Sequence, residues 1–178
     1  MHGASAARAS YDAHVPRGDL VIAAEYFASP GPQSIVLAAL DEFDHLYGEG
    51  NRGAHDLTPH DFDPPRGVYL VARRDGHLAG GAGLRPIVEP ERRLGEVKRL
   101  WVRPDLRRSG VATLLMDEII DAATTRAYAA LYLETGPLQP AARQLYERLG
   151  WERVDAYPEG AHLHVTGFRF RLQLEGGP

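Results

Sequence analysis

The most informative stretch of this chain is GEVKRLWVRPDLRRSGVAT, residues 95–113. It begins with a strand pattern that ends at Pro104, continues as a basic turn, and enters an amphipathic helix at Val111. A glycine in the turn, Gly110, lets the backbone approach a ligand closely. The start of the helix presents unpaired N–H groups and the positive end of the helix dipole. This combination predicts an anion site, most naturally for a phosphate or pyrophosphate.

The composition is that of an ordinary globular protein, with 44% hydrophobic and 25% charged residues. The length of 178 residues suits one domain, and we expect an unstructured tail at 1–17 before a single domain at 18–174. The absence of cysteine excludes disulfides, thiolate zinc sites and a cysteine nucleophile. A formal net charge of -4 argues against nucleic-acid binding, and no apolar run approaches the roughly 20 residues that span a bilayer. We therefore expect a cytoplasmic protein without a nucleic-acid or membrane partner.

Hydrophobic periodicity predicts a succession of strands and helices. The predicted strands are 20–27, 67–73, 77–88, 93–103, 130–135, 151–154 and 164–172, and the predicted helices are 32–47, 111–128 and 140–149. Residues 48–65 are predicted to be a loop, and Asp75-Gly76 the turn of a hairpin. Because hairpins come first and strand–helix–strand units follow, we expect a mixed sheet with helices on its faces.

Two motifs carry a resemblance to a known family: RRSGVA at residues 107–112 and ARQLYERLGW at residues 142–151. Their order and spacing resemble the GNAT family of N-acetyltransferases, which use acetyl-coenzyme A. GEVKRLWV at 95–102 is similar to the fourth strand of that family. Two positions depart from the common pattern, Gln139 in place of Asn and Trp151 in place of Phe. The resemblance implies a GNAT-like acyl-CoA N-acyltransferase fold, with a mixed, partly splayed central sheet flanked by helices.

The resemblance also implies where acetyl-CoA, as co-substrate, would bind. The turn would hold the pyrophosphate, and a bulged, splayed strand would admit the pantetheine arm beside its backbone. The cofactor-binding residues expected from this are Leu100, Trp101, Val102, Arg107, Arg108, Ser109, Gly110, Val111, Ala112, Thr113 and Gln139. The alternatives are an ordinary strand-to-helix turn with Ser109 as its N-cap, and an unbroken ladder between the two strands.

Tyr146 is the candidate proton donor to the leaving thiolate. It lies at the edge of the apolar stripe of its predicted helix. A thiol with a pKa near 8.5 and a phenol with a pKa near 10 are close enough, on roughly these reference values, for such a transfer. The alternative is a core tyrosine whose hydroxyl has a structural partner.

Two carboxylates are candidate bases for the attacking amine. Glu96 lies on the strand nearest the expected thioester, and its alternative is an exposed residue that pairs with Lys98 or Arg99. Glu134 ends the next strand and could act as base or hold an ammonium group, and its alternative is a structural hydrogen bond into the loop at 136–140.

The function that the resemblance implies is transfer of an acetyl group from acetyl-CoA to a primary amine of a small molecule or peptide, by direct attack in a ternary complex. A non-catalytic acyl-CoA-binding domain and an unrelated nucleotide-binding protein are the alternatives. The histidines and aspartates at 55–63 fit no metal-ligand spacing, so we expect no metal and interpret this acidic segment as part of the acceptor side. A homodimer is possible, as in similar proteins.

Overall fold

An eight-stranded mixed sheet runs through the protein, in the order β1-β2-β3-β4-β5-β6-β8-β7. A computed structural model describes residues 15–17, 19–48, 57–89, 92–158 and 167–174. The strands are β1 (Val15–Arg17), β2 (Leu20–Ala24), β3 (Val68–Arg74), β4 (His77–Ile87), β5 (Leu94–Val102), β6 (Ala130–Thr135), β7 (Glu152–Val154) and β8 (Phe168–Gln173). The helices are α1 (Pro30–Tyr47), α2 (Val111–Thr125) and α3 (Pro140–Arg148), with short 3-10 turns at Pro59–Phe62 and Pro104–Leu106.

Among the described strands, β5 and β6 are the one pair that lies parallel. Strands β1 to β5 form an antiparallel meander, β5 and β6 are parallel, and β8 pairs antiparallel with both β6 and β7. The helix α2 forms the crossover between the two parallel strands, as parallel pairing requires. The mixed sheet and flanking helices expected from the sequence are confirmed.

The helices α1 and α2 cover opposite faces of the sheet. Leu70 and Ala72 of β3 belong to the cluster that contains Leu115 of α2, whereas Tyr69 belongs to the cluster that contains Ile35 of α1. Since successive side chains of a strand point to opposite faces, these alternating memberships place one helix on each side. The two faces are called here the α1 face and the α2 face.

Several predicted boundaries differ from the structure. Val15–Arg17, predicted to be part of a tail, instead form β1 because they pair antiparallel with β2, and residues 1–14 lie outside the described residues. The helix α1 begins at Pro30, whose fixed φ suits the first helical position. The helix α2 ends at Thr125. Ala127 beyond it has a φ of 55°, a value that a right-handed helix does not allow. The last strand begins at Phe168 rather than at residue 164.

The other strand predictions are correct to within a few residues. The hairpin between β3 and β4 turns at Asp75 and Gly76, with φ values of 50° and 76° that match a two-residue turn of the kind favoured in hairpins. The predicted strand at 20–27 stops at Ala24, and the predicted loop at 48–65 contains the 3-10 turn at Pro59–Phe62. In the described part of the chain, no helix is both long enough and apolar enough to cross a bilayer.

Candidate functional site

A β-bulge in β5 lies at the centre of the candidate site. The register with β4 passes from Gly83↔Lys98 to Gly81↔Trp101, which is two steps along β4 and three along β5. The extra residue coincides with a φ of 55° at Arg99. The bulge shifts the alternation of side chains, so that Leu100 joins the α2-face cluster and Trp101 packs against the α1-face cluster.

The strands β5 and β6 separate beyond a short paired stretch. Their register consists of Leu94↔Ala130, Gly95↔Leu131 and Glu96↔Tyr132. Both strands continue, β5 to Val102 and β6 to Thr135, without pairing with each other. The result is a gap between the strands with its apex at Glu96 and Tyr132. The splayed sheet expected from the sequence is confirmed, and the alternative of an unbroken ladder is wrong.

The backbone carbonyl group of Val102, at the edge of the gap, already has a side-chain partner. The N–H of Arg103 donates to the carbonyl oxygen of Ala79 in the neighbouring chain segment, at 2.9 Å. Alternation therefore directs the N–H and C=O of Val102 away from β4, toward the gap. The carbonyl oxygen of Val102 accepts a hydrogen bond from Nε of Arg107 at 3.0 Å.

The turn before α2 presents a concave set of backbone N–H groups. Arg108 and Gly110 have φ values of 62° and 89°, and Gly110 is the N-cap. The first helical bond joins the N–H of Leu114 to the carbonyl oxygen of Gly110, at 3.0 Å. The three N–H groups between them, at residues 111–113, therefore have no partner within the helix, and no side chain caps them. This geometry suits an anion.

Ser109 does not cap the helix, so the alternative of an ordinary serine-capped turn is wrong. Its hydroxyl donates to the carbonyl oxygen of Leu106 at 2.6 Å, back into the turn. The N-cap position falls instead on Gly110, which tolerates the left-handed conformation and carries no side chain to cover the N–H groups. The anion site is consequently open at its centre.

The side chain of Arg107 links the turn to α1. Its Nη2 donates to Glu42, a carboxylate on α1, in a short contact. The indole N–H of Trp101 donates to the same carboxylate oxygen at 2.9 Å. Farther along α1, the hydroxyl of Tyr47 accepts a hydrogen bond from the backbone N–H of Leu138, which follows β6, at 2.9 Å. The C-terminal half of α1 therefore touches both sides of the gap, on the face opposite α2.

Glu96 is buried among donors, with 1% of its surface exposed. One carboxylate oxygen accepts from Nε and Nη2 of Arg85, at 2.8 and 2.7 Å. The other oxygen lies 2.8 Å from Nζ of Lys98 and accepts from the hydroxyl of Tyr157 at 2.9 Å. The pairing with Lys98 was one of the sequence alternatives, but the expected exposure is wrong. Four donors match the four lone-pair sites of a carboxylate.

Tyr157 covers the apex of the gap on the α1 face. Its ring packs edge-on against Tyr132, with the ring centroids 5.3 Å apart, while its hydroxyl reaches Glu96. Burial, and after it the negative charge of Glu96, raise the pKa of Tyr157 far above its usual range, so this hydroxyl stays a donor. Sequence reasoning missed Tyr157, because nothing in a loop sequence indicates that its side chain reaches a strand elsewhere. Arg85 was also missed, although it is the direct cross-strand partner of Glu96.

Tyr146 lies in the core beside β8. Its ring packs against Trp151 and Phe170, with centroid distances of 6.1 and 5.6 Å. Burial raises the pKa of its hydroxyl above the usual range, so it stays protonated and able to donate. The role of this hydroxyl, catalytic or structural, stays a prediction.

Glu134 lies on the same face of β6 as Tyr132, since the two residues are two positions apart. Its half-buried carboxylate lies against Gly167, where a Cβ would clash with it. Hydrogen bonds that close the following loop come from Gln139, whose Oε1 accepts from the Thr135 hydroxyl at 3.1 Å and from the Gly136 N–H at 3.0 Å. Gln139 thus shapes the loop at the open side of the gap.

The acidic segment expected on the acceptor side is only partly described, and His55 and Asp56 lie outside the described residues. Within the described part, His60 pairs with Asp63 at 3.0 Å, and Asp61 accepts from the Thr58 hydroxyl at 3.0 Å. The described residues contain no group of three or more side chains able to hold a metal ion.

A sheet that splits beside a bulged strand, with a glycine turn leading into the crossover helix, defines an acyl-CoA N-acyltransferase fold. The chain belongs to the GNAT acetyltransferase family. The family model described as "Acetyltransferase (GNAT) family" matches residues 35–151. A GNAT acetyltransferase from Elizabethkingia anophelis, solved with acetyl-CoA bound, has the same fold. The TM-score is 0.60 at 17% identity, over 89% of this chain and 100% of that chain.

Two relatives support the same assignment. IAA acetyltransferase of Azospirillum brasilense is 31% identical over 132 residues, covering 73% of this chain and 84% of that protein. The uncharacterized N-acetyltransferase YjgM of Escherichia coli is 31% identical over 104 residues, which is 58% of this chain and 62% of the relative. The chain thus spans less than two thirds of the E. coli relative that it matches.

Proposed function

We propose that this protein transfers an acetyl group from acetyl-CoA to a primary amine of a small molecule or peptide, by direct attack in a ternary complex. The observation that carries the proposal is the gap beside the bulge of β5. It opens toward the turn at residues 107–113, whose N–H groups suit a pyrophosphate, and narrows toward Glu96. A long cofactor bound by its pyrophosphate at the open end would therefore bring its thioester to the apex.

The turn and the gap would bind different parts of the cofactor. The N–H groups at residues 111–113 would bind the pyrophosphate, with Arg107 and Arg108 nearby. The pantetheine arm would lie along β5 and replace the missing β6 partner with hydrogen bonds to the backbone of Leu100 and Val102. The N–H of Leu100, at the bulge, would also polarise the thioester carbonyl and stabilise the developing oxyanion.

The acetyl group would pass directly from sulfur to nitrogen. The amine nitrogen attacks the thioester carbon, the tetrahedral intermediate collapses, and the C–S bond breaks as the C–N bond is kept. The Tyr146 hydroxyl, which burial keeps protonated, would donate a hydrogen bond that stabilises the departing thiolate. Of the two candidate bases we assign Glu134, acting through a water, because both oxygens of Glu96 are occupied by donors from Arg85, Lys98 and Tyr157. Glu96 would hold the side chains of Arg85, Lys98 and Tyr157 in position at the apex.

A thiol-release assay with acetyl-CoA and a panel of amines tests this function. We expect acetyl-CoA, and neither ATP nor NAD, to raise the melting temperature, and at least one amine to release free thiol. Stabilisation by ATP or NAD but not by acetyl-CoA would overturn the proposal. Glu134→Gln should lower kcat because it removes the proposed base. The same variant should keep the rise in melting temperature that acetyl-CoA causes.

One observation favours the alternative of a non-catalytic acyl-CoA-binding domain. Glu96, the acid nearest the apex, is saturated with donors rather than poised for a substrate. This alternative predicts that Tyr146→Phe and Glu134→Gln leave any turnover unchanged while acetyl-CoA still binds. A cytoplasmic location and a homodimer stay predictions, which cell fractionation and light scattering would test.

A further inference from the structure

The acceptor must approach the apex from the α1 face. The α2 face of β5 is closed by packing, since Val97 and Val102 are buried in the cluster around Leu115 of α2. On the α1 face, β5 presents Glu96 and Lys98 beside the apex. The chemistry of these side chains, rather than of the cofactor turn, therefore selects the acceptor.

Two cations share one buried carboxylate at this place. Arg85 makes both of its short contacts to one oxygen of Glu96, and Lys98 reaches the other oxygen. Asp61 is farther off, 3.8 Å from Nη1 of Arg85. The side chain of Lys98 is 16% exposed, and an ammonium has two more N–H groups than its contact with Glu96 uses. Lys98 can thus donate to a ligand while it stays paired with Glu96.

Several acids lie near this face, and two of them have cationic partners of their own. Glu42 contacts Arg107, and Glu25 pairs with Arg73 at 2.7 Å. Asp61 and Glu134 add negative charge near the apex, so an anion bound there needs a direct hydrogen-bond donor. Lys98 is such a donor.

Tyr69 supplies a second, independent observation. Its side chain is fully buried among Phe27 and Phe62, and no described residue pairs with its hydroxyl. The ring lies over Gly81, whose β5 partner is Trp101, so the hydroxyl is near the bulge. Burial raises the pKa of this hydroxyl, and the positive charge of Arg99 opposes the rise. A buried hydroxyl without a partner costs stability, which is a reason to look for a ligand.

We propose that the acceptor is an amine that also carries a carboxylate, and that the Lys98 ammonium and the Tyr69 hydroxyl bind this carboxylate. The inference rests on the proposed acetyl transfer and names the substrate class of that same site. The Tyr69 side chain is fully buried in this structure, so binding requires movement of the aromatic side chains of Phe27 and Phe62 that enclose it. Charge-assisted hydrogen bonds of this kind are the strong ones in proteins.

An amino acid or a short peptide with a free carboxyl group fits this description. The positive charge of Lys98 also lowers the pKa of a nearby acceptor ammonium, which increases the fraction of amine able to attack. An α-amine, with a pKa near 8, needs less of this help than a lysine side chain with a pKa of about 10.4.

Thiol release with matched pairs of acceptors tests the proposal. Each amino acid is compared with its own carboxamide, which keeps the amine and the side chain but removes the charge. We expect the wild-type protein to prefer the acid in kcat/KM by roughly 10-fold or more, as for other charge-assisted contacts. Lys98→Gln should abolish the preference by raising KM for the acid, and Lys98→Arg should restore most of it, with KM for acetyl-CoA unchanged in both.

Tyr69→Phe and Tyr128→Phe form the second comparison. Tyr69→Phe should raise the melting temperature and reduce the preference for the acid, because it removes a buried hydroxyl that only the ligand satisfies. Tyr128 donates its hydroxyl to the carbonyl oxygen of Arg66 at 2.9 Å, away from the apex. Tyr128→Phe should therefore lower the melting temperature and leave the preference unchanged.

The outcomes separate the two proposals. Equal or faster turnover of the carboxamides would overturn the carboxylate site and leave the acetyltransferase function standing. A preference for acids that survives both Lys98→Gln and Tyr69→Phe would overturn the assignment of these residues. If every acid and every carboxamide failed to react while another amine released thiol, only the carboxylate site would be overturned. If no amine at all reacted while acetyl-CoA still raised the melting temperature, both the carboxylate site and the acetyl transfer would be overturned.

Discussion

Glu96 shows how strongly one side chain depends on its partners. It has 1% of its surface exposed, and Arg85, Lys98 and Tyr157 all contact it. Removing one member of a buried ion pair leaves an uncompensated charge, which is costly even where the pair itself adds little stability. The carboxylate therefore has a structural task that its position on a catalytic strand does not reveal.

We expect Glu96→Gln to lower the free energy of unfolding by about 3–5 kcal/mol, because Arg85 and Lys98 would lose their common anion. Urea unfolding of the purified variant measures this change. Glu134→Gln is the matched control, and as a half-buried residue it should lose less than about 1 kcal/mol. Equal stability of the Glu96 variant and the wild type would contradict the structural role.

Tyr146 is the residue whose chemistry and packing can be tested separately. Tyr146→Phe keeps the ring contacts with Trp151 and Phe170 and removes only the hydroxyl. We expect kcat to fall by about 10²-fold or more, as for loss of a hydrogen-bond donor to developing negative charge, with stability and KM for acetyl-CoA almost unchanged. Steady-state thiol release gives both constants. A variant with undiminished kcat would show that the thiolate leaves without help from this hydroxyl.

At the scale of elements, the start of α2 and the bulge of β5 form the two ends of the proposed binding surface. The helix start offers three N–H groups, at residues 111–113, that neither the helix nor a capping side chain uses. The bulge interrupts regular pairing with β4 after Lys98, shortly beyond Glu96, where β5 leaves β6. Each feature lowers local stability, and each presents backbone groups that a ligand can use.

We predict that Thr113→Glu stabilises the fold and weakens the binding of acetyl-CoA. A carboxylate in the first turn of α2 interacts favourably with the helix dipole, by about 0.3–1 kcal/mol. The same charge repels the pyrophosphate, and we expect a loss of affinity of roughly 10-fold or more. Thermal unfolding and calorimetric titration measure the two effects.

Thr124→Glu is the control, since it places the same side chain in the last turn of α2. There the carboxylate opposes the dipole, so stability should fall slightly while the affinity for acetyl-CoA stays the same. Equal losses of affinity in the two variants would contradict a pyrophosphate site at the start of α2.

At the scale of the whole molecule, the sheet separates two clusters with different tasks. The α2 face is a continuous apolar core, whereas the α1 face carries the buried polar groups, among them Glu96, Arg85 and Tyr69. The helix α1 crosses the gap on that second face, through contacts of Glu42 and Tyr47. The protein therefore places its chemistry on one face and most of its stabilising packing on the other.

The buried tyrosines predict a loss of stability at alkaline pH. Burial raises the pKa values of Tyr69, Tyr146 and Tyr157 above the ordinary value near 10. Phenols are neutral when protonated, so the folded state keeps protons that the unfolded chain releases above about pH 10. Their stabilising contribution is complete below that pH and is lost as the pH rises toward the folded values.

We expect the free energy of unfolding to fall above about pH 10, by up to about 1.4 kcal/mol per pH unit for each tyrosine. Urea unfolding from about pH 8 to about pH 11 measures this slope. Tyr146→Phe should reduce the slope of the free energy of unfolding against pH by the contribution of one tyrosine. A free energy that stays constant across this range would contradict the burial of the three hydroxyls.

Most elements and the glycine-containing turn before α2 could be predicted from the sequence because their signals are local. Periodicity of apolar residues indicated α2, β6 and α3, and the residues at 107–113 indicated an anion site through their own backbone preferences. The resemblance of the same motifs to the GNAT family indicated the splayed sheet. These properties depend on neighbours within a few positions of the chain.

Only the tertiary structure decided which side chains meet at the apex. Glu96 contacts Arg85 and Tyr157 across 11 and 61 positions of the chain, and Glu42 reaches Arg107 across 65. The strand β1 likewise exists because β2 is there to pair with it. Local preferences contain no information on such partners, since burial and charge pairing depend on where the folded chain returns to itself.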